Sequence, residues 1–239
     1  MSNHDLQQFA SVASHDLQEP LRKILIFSGL LKSKHAGELP EESLQHLEKI
    51  ISSSGRMRTM IIDILSYSGL AVNNRQFELT SLNDIVQEVL DDFELLIQDK
   101  QARFEIDKLP EIEVNHGQIR QVFQNLIGNA LKFSKIDETP VIRIKSLERN
   151  ENSEESYCYI SISDNGIGFD EKYGEKIFSL FQRLNTKDKY EGSGIGLAIT
   201  KKILDKHNGS ITATSKEGVG SEFVITLPLR YNSQHEIIE

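Results

Sequence analysis

The chain has 239 residues, 38% hydrophobic and 26% charged, a composition typical of a globular protein with one large or two smaller domains. Its formal charge of −9 argues against nonspecific binding to nucleic acid, and no apolar run approaches the roughly 18 residues that a membrane span requires. The N-terminus does not resemble a signal peptide, and the single cysteine, Cys158, cannot form an internal disulfide, so we expect a cytoplasmic protein with Cys158 in its core.

Residues 6–31 carry apolar side chains at helical spacing, which predicts one long amphipathic helix. His15 falls opposite the stripe that includes Ala13 and Leu17, so its imidazole is expected to face solvent. A histidine in such a position is more often an ordinary surface residue than a reactive one. Pro20 lacks a backbone N–H and is expected to bend the helix just past His15.

A second helix is predicted to begin near Pro40, after a break at Gly37. Its apolar residues follow at alternating spacings of three and four, which favours packing of helix against helix. Two helices cannot bury both apolar stripes, whereas two copies of the pair can do so as a four-helix bundle. We therefore predict that residues 1–72 form a homodimerisation hairpin.

The remaining chain, residues 73–232, has the pattern of a mixed domain of helices and strands, followed by a tail over 233–239. A linker is expected over 69–76 and a solvated acidic loop between the strands at 141–147 and 157–163. Helices are predicted over 81–97, 116–133 and 195–206, and further strands over 102–106, 211–215 and 222–229. The predicted class of the whole chain is α+β.

The helix within "QIRQVFQNLIGNALKF" has one apolar and one polar side. The polar side lies within an arc of about 80° and consists of Gln118, Gln121, Asn125, Asn129 and Lys132. It contains no acidic residue, which favours a surface that faces an anion and a metal ion. A plain solvent-exposed face is an equally good interpretation of this helix alone.

Asp164 ends the strand in "YCYISISDNGIGF", and the two-residue period places it on the same face as Ile160 and Ile162. An inward carboxylate needs a partner, and the turn at 165–168 permits close approach of a ligand amine. The alternative is a hairpin turn in which Asp164 is only a cap.

A glycine cluster, Gly192, Gly194 and Gly196 in "EGSGIGLAI", leads directly into a helix. Such a cluster lets backbone N–H groups converge on phosphates at the helix N-terminus. The spacing matches neither the dinucleotide-binding fingerprint nor the phosphate-binding loop that ends in Gly-Lys-Ser/Thr. Taken alone, this glycine cluster is weak evidence for a phosphate-binding site.

In their order, these segments resemble the sensor histidine kinases over about residues 9–229. "SHDLQEPL" is similar to the phosphoacceptor box, in a form like that of phytochrome-type kinases, and "NLIGNALKF" to the asparagine box. "DNGIGF", "IFSLFQRL" and "GSGIGLAI" resemble the first glycine box, the phenylalanine box and the second glycine box, and "EGVGSEFVITLPL" the closing strand. The resemblance implies an α/β sandwich, a mixed sheet with helices on one face, that binds ATP as in gyrase and related ATPases.

By the same resemblance, His15 accepts the γ-phosphoryl group of ATP and Asp16 orients the imidazole. Asp164 would bind the adenine amine, Asn129 would bind Mg²⁺, and Arg183 would stabilise the transferring phosphoryl group. The other implied nucleotide contacts are Asn125, Lys132, Gly166, Gly168, Gly192, Gly194, Gly196 and Leu197. Residues 185–194 would form a mobile lid over the nucleotide.

Two other functions share this fold: ATP hydrolysis and a catalytically silent scaffold. The hydrolases have a carboxylate where this chain has Asn125, and neither Gln121 nor Gln124 can act as a base, so transfer to a protein is favoured. The implied partner is the acceptor aspartate of a response-regulator receiver domain. Glu19 stands where many family members have the Thr or Asn that positions a dephosphorylating water, which puts phosphatase activity in doubt.

The helical pattern is already amphipathic at Leu6, which predicts a coiled coil that continues upstream in a longer parent protein. The resemblance implies that a sensor domain, absent from this chain, lies in that upstream part.

Overall fold

The computed structural model describes residues 3–35, 37–69, 77–147, 157–184 and 192–230, with side chains in the first helix from Asp16 onward. The described chain divides into two compact units. The first contains two long helices together with residues 192–195, and the second contains the rest. The predicted linker and the predicted acidic loop lie largely outside the described residues, and the tail lies wholly outside them.

The first unit is a helical hairpin of α1, Asn3–His35, and α2, Glu41–Gly69. The two helices pack along each other, and Lys32 pairs with Glu48 across them at 2.7 Å. Few of the hairpin's described side chains are buried: Leu21, Leu47 and Ser54. The two predicted helices are confirmed, and α1 runs through Pro20 without interruption.

Large apolar side chains remain exposed along the hairpin: Leu17, Ile24, Ile26, Phe27, Leu30, Leu31, Ile50, Met57, Ile62 and Ile64 are each at least 36% exposed. This set is the apolar face of the hairpin. None of the helices within the described ranges combines the length and hydrophobicity needed to cross a membrane.

The second unit is built from short elements that alternate along the chain. They are β1 Glu78–Ser81, α3 Leu82–Asp92, α4 Glu94–Lys100, β2 Arg103–Ile106, β3 Glu111–Val114, α5 His116–Lys132, β4 Val141–Leu147, β5 Tyr157–Asp164, 3₁₀ turns at Glu171–Tyr173 and Lys176–Phe178, α6 Gly196–Lys206, β6 Ser210–Lys216 and β7 Gly220–Pro228. β1 and β3 pair as a small antiparallel sheet.

The main sheet has the strand order β2-β4-β5-β7-β6. Only the β2–β4 pair is parallel, so the sheet is mixed, as the resemblance implies. α5 packs against β5, and α6 against β6 and β7. Alternate strand residues form the core beneath these helices, among them Cys158, Ile160 and Ile162, which are at most 5% exposed. The predicted inward face of β5 and the core position of Cys158 are confirmed.

The helix predicted over 81–97 is wrong in one respect, because it is two helices that meet at Phe93. Ser81 caps the first of them by accepting the N–H of Asp84 at 3.3 Å. A Cβ on Gly128 would lie 3.2 Å from the Phe93 ring, so this ring packs where α5 has no side chain. The sequence patterns also missed β1, β3 and the 3₁₀ turns, which are too short for a periodic signal.

His207 links the end of α6 to the start of α5. It is 1% exposed. Its Nδ1 lies 2.8 Å from the carbonyl oxygen of Ile203 and therefore carries the proton, while Nε2 accepts the backbone N–H of Asn115 at 3.1 Å. The neutral imidazole thus fixes the N-cap residue of the helix that bears the asparagine box.

Replacing His207 with phenylalanine is expected to lower the free energy of unfolding by about 1–3 kcal/mol, since it removes a buried acceptor without removing its donor. The measurement is urea unfolding of the full chain. His116→Gln is the matched control, because the His116 ring lies near the surface and is hydrogen-bonded to Glu88. Equal urea midpoints for His207→Phe and wild type would contradict the role of His207 in fixing the start of α5.

Candidate nucleotide site

The helix α5 presents the predicted polar side toward the surface. Asn115 caps it by accepting the N–H of Gln118 at 3.0 Å. The apolar side is buried, with Ile119, Val122, Phe123, Leu126, Ile127 and Ala130 at most 5% exposed. The polar residues Gln118, Gln121, Asn125, Asn129 and Lys132 are all half-buried. The division between the two sides follows the predicted pattern.

Asn125 is tied to the start of α6. Its Nδ2 donates to the carbonyl oxygen of Gly196 at 3.0 Å and lies 3.2 Å from the Thr200 hydroxyl oxygen. Thr200 Oγ1 in turn donates to the Gly196 carbonyl at 3.0 Å. The asparagine box and the last glycine of the second glycine box are therefore in direct contact.

Asp164 lies at the end of β5, where its Oδ1 accepts the N–H of Gly166 at 2.8 Å. Burial raises the pKa of this carboxyl group to about 6, although backbone hydrogen bonds from Gly166 and Ser221 act to lower it. The Gly166 contact is the capping interaction considered above. Burial of this carboxylate thus outweighs its two backbone hydrogen bonds, a property that is common at binding and catalytic sites.

The turn after Asp164 is positioned by its glycines. A Cβ on Gly166 would lie 2.6 Å from the Phe133 carbonyl oxygen, and one on Gly168, where φ is +60°, would lie 2.2 Å from that of Lys216. The N–H of Ile167 donates to the Phe133 carbonyl at 2.9 Å. These contacts hold the first glycine box against the C-terminal end of α5.

Two further residues shape this turn without having been assigned a role from the sequence. At Gly220, φ is +139° and a Cβ would lie 1.9 Å from the carbonyl oxygen of Asp164, so only glycine fits beside the strand end. Ser215 accepts the N–H of Phe169 and donates to the Gly220 carbonyl, both at 2.8 Å. The Gly-Val-Gly before β7 was the available signal for Gly220.

The phenylalanine box begins with the 3₁₀ turn that packs against α6 through the buried Ile177. Phe181 then adopts a φ of +62°, a rare conformation for an aromatic residue, with more than half of its surface exposed. Arg183 follows and is half-buried.

The second glycine box spans the division between the units. Gly194 has a φ of +73°, and the N–H of Ile195 donates to the Ser193 hydroxyl at 3.2 Å. Within the first unit, Ser193 donates to Asp63 of α2 at 2.5 Å, and burial raises the pKa of Asp63 against this hydrogen bond. Gly196 and the half-buried Leu197 begin α6 in the second unit. Residues 185–191 of the predicted lid lie outside the described residues.

The phosphoacceptor box lies on α1. Asp16 is exposed, and Glu19 forms an ion pair with Lys23 at 2.9 Å. The side chain of His15 is outside the described residues, so its predicted solvent orientation stays a prediction. In the second unit, by contrast, hydrogen bonds connect α5 both to the first glycine box and to Gly196.

Both units match family models. Residues 5–70 match the His Kinase A (phospho-acceptor) domain, and residues 115–231 match the histidine kinase-, DNA gyrase B-, and HSP90-like ATPase. The phytochrome-like protein Cph1 of Synechocystis sp. is 37% identical over 228 residues, 95% of this chain. The chain spans 30% of the length of that relative.

Solved structures give the same likeness. The catalytic domain of histidine kinase ThkA is 30% identical, with a TM-score of 0.53 over 64% of this chain and 98% of that chain. Full-length ShkA in complex with AMPPNP has a TM-score of 0.70 at 21% identity, over 94% of this chain and 46% of that one. ThkA in complex with the response regulator protein TrrA has a TM-score of 0.63 at 23% identity, over 95% of this chain and 64% of that one. At 21% and 23% identity, the likeness to ShkA and to the ThkA complex shows a shared fold.

Proposed function

Because the chain belongs to the sensor histidine kinases and contains their catalytic core, we propose that it transfers the γ-phosphoryl group of ATP to His15 and then to an aspartate of a response-regulator receiver domain. The observation that carries this proposal is the connection of the boxes within the second unit. The turn after Asp164 is bonded to the end of α5, and Asn125 of α5 is bonded to Gly196.

The donor set of this unit suits a nucleotide. Asp164 offers a half-buried acceptor to the adenine amine, beside the backbone of Gly166 and Gly168. Lys132 and Arg183 supply positive charge for the phosphates. Amide oxygens and phosphates are suitable ligands for Mg²⁺, and Asn129, half-buried on the same side of α5, would supply one. When bound, Mg²⁺ would neutralise charge on the phosphates.

In the proposed transfer, a ring nitrogen of neutral His15 attacks the γ-phosphorus and forms an N–P bond, while the bond to the β-phosphate oxygen breaks and ADP leaves with the electron pair. Asp16 orients the ring and stabilises its remaining proton as positive charge develops. A carboxylate oxygen of the receiver then attacks the same phosphorus, and the N–P bond breaks to restore His15.

The partners follow from the first unit. The apolar face of the hairpin, exposed in a single chain, is of the kind that a second copy covers in a four-helix bundle, so we propose a homodimer. ThkA has been solved with a response regulator protein, which supports a receiver domain as the second partner.

The proposed function is tested with γ-labelled ATP and the purified chain. Retention of the label on the protein is expected, followed by loss to a receiver domain. Release of free phosphate without labelled protein would indicate hydrolysis instead, and neither product would indicate a scaffold.

Replacing Glu19 with threonine or asparagine is expected to create phosphatase activity toward a phosphorylated receiver domain. Glu19 cannot donate a hydrogen bond to a water, and its charge repels the phosphoryl group. The measurement is the decay of a phospho-receiver with each variant and ADP. Lys23→Gln is the matched control, since it removes the ion-pair partner and keeps Glu19. Fast decay with wild type, unaltered in the variants, would contradict the role.

A further inference from the structure

Thr200 is a buried polar residue in the second turn of α6. It is fully buried, so its hydroxyl group depends on protein partners. A threonine in a helix commonly donates to the carbonyl four residues earlier, and Thr200 does so at Gly196, 3.0 Å away. This bond uses the single hydroxyl proton. The oxygen is then an acceptor for Asn125 Nδ2, at 3.2 Å.

This arrangement fixes the orientation of the Asn125 amide. Nδ2 has two protons, and its two near partners are the Gly196 carbonyl oxygen, which can only accept, and the Thr200 hydroxyl, which has already donated. Rotating the amide by 180° would place Oδ1 against the Gly196 carbonyl. Asn125 is therefore left with its oxygen to offer elsewhere.

We propose that Thr200 is a positioning residue for phosphoryl transfer: together with the Gly196 carbonyl, it holds Asn125 so that the asparagine box presents an amide oxygen, a group suited to Mg²⁺, on the side of the proposed nucleotide. This inference rests on the proposed function. The same geometry disfavours a carboxylate at position 125, since one of its two oxygens would replace Nδ2 beside the Gly196 carbonyl. The contact that orients the amide in this chain thus favours an amide over the carboxylate base found in the hydrolases.

The first test uses the wild-type chain and needs no activity. In ¹⁵N NMR of the full chain, both side-chain amide protons of Asn125 are expected to exchange slowly with solvent, because both are hydrogen-bonded. Rapid exchange of either proton would overturn the inference, whatever the chain does with ATP.

The second test uses Thr200→Val, which keeps the shape and removes the hydroxyl. We expect kcat/KM for autophosphorylation with Mg²⁺ and ATP to fall by roughly three- to tenfold, through a higher KM, with faster exchange of one Asn125 amide proton. Thr200→Ser restores the hydroxyl and should restore both values to within about twofold. Thr212→Val, at an exposed position of β6, is the matched control.

The outcomes separate the two proposals. The role of Thr200 would be overturned if wild type is labelled but the KM of Thr200→Val is unaltered. It would also be overturned if Thr200→Ser fails to restore kcat/KM and the exchange rate. Either result would leave the proposed kinase activity intact. Absence of label on wild type would overturn the proposed function, while the exchange measurement still decides the orientation of Asn125.

Discussion

Substitution of His15 by glutamine is expected to abolish labelling of the chain by γ-labelled ATP. An amide nitrogen shares its lone pair with the carbonyl group and cannot attack phosphorus, whereas the neutral imidazole can. Nucleotide affinity should stay within about twofold of wild type, because the proposed nucleotide contacts of α5 and the first glycine box belong to the other unit.

The matched control is His35→Gln. His35 ends the same helix and pairs with Glu38 at 2.8 Å, so this variant also replaces a histidine of α1. It should label like wild type. The label on wild type should be lost in acid and kept in alkali, as a phosphoramidate requires. Full labelling of His15→Gln, or acid-stable label, would show that the phosphoryl group is attached elsewhere.

Substitution of Asp164 by asparagine is expected to weaken ATP binding by roughly ten- to a hundredfold. The asparagine keeps the shape but can present an NH₂ group to the adenine amine, so that two donors face each other in a partly buried site. Calorimetric titration of the full chain with ATP measures the effect. Asp170→Asn, an exposed position in the same loop, is the matched control and should bind like wild type.

The pH dependence of ATP binding is a second test of the role of Asp164. Since the pKa of Asp164 is about 6 without nucleotide, protons compete with the adenine amine below that value. Affinity should decline by about tenfold per pH unit below pH 6 in wild type, and the decline should be absent in Asp164→Asn. A flat wild-type profile, or a parallel decline in the variant, would assign the titration to other groups.

The raised pKa of Asp164 affects stability in the opposite direction: ATP affinity falls as the pH decreases, whereas the stability of the unliganded protein falls as the pH rises. A carboxyl group whose pKa is raised by folding stabilises the folded state while it is protonated, and that contribution is lost as pH rises through about 6. Above pH 7, the ionised Asp164 carboxylate therefore destabilises the unliganded folded state. The asparagine variant should unfold no more readily than wild type there, even though it binds ATP less well.

Local periodicity was sufficient for much of this architecture. The alternation in β5 predicted the burial of Ile160 and Ile162, and the helical spacing in α5 separated its buried side from the side bearing Asn125 and Asn129. These signals work because one face of each element packs on the core. The ordered motifs then predicted the family, which a single glycine cluster could not have done.

The missed features depend on contacts between distant parts of the chain. The break at Phe93 is explained by a ring that packs on Gly128, and Gly220 is required by the carbonyl of Asp164. The bond from Asn125 to Gly196 joins two boxes that the sequence separates widely. Propensity and period describe each element alone, so they contain no information about which residues meet.

The pairing of the central strand β5 with β7 has a consequence for biosynthesis. β5 pairs with β4 on one side and β7 on the other, and Asp164 stands opposite Ser221 of β7, the last strand to leave the ribosome among those described. A nascent chain that has emerged only as far as α6 already contains the proposed acceptor, His15, and the glycines of both boxes, yet lacks the strand that pairs with the end of β5 beside Asp164. The proposed adenine site is therefore completed only once β7 has been synthesised, later than the proposed acceptor helix.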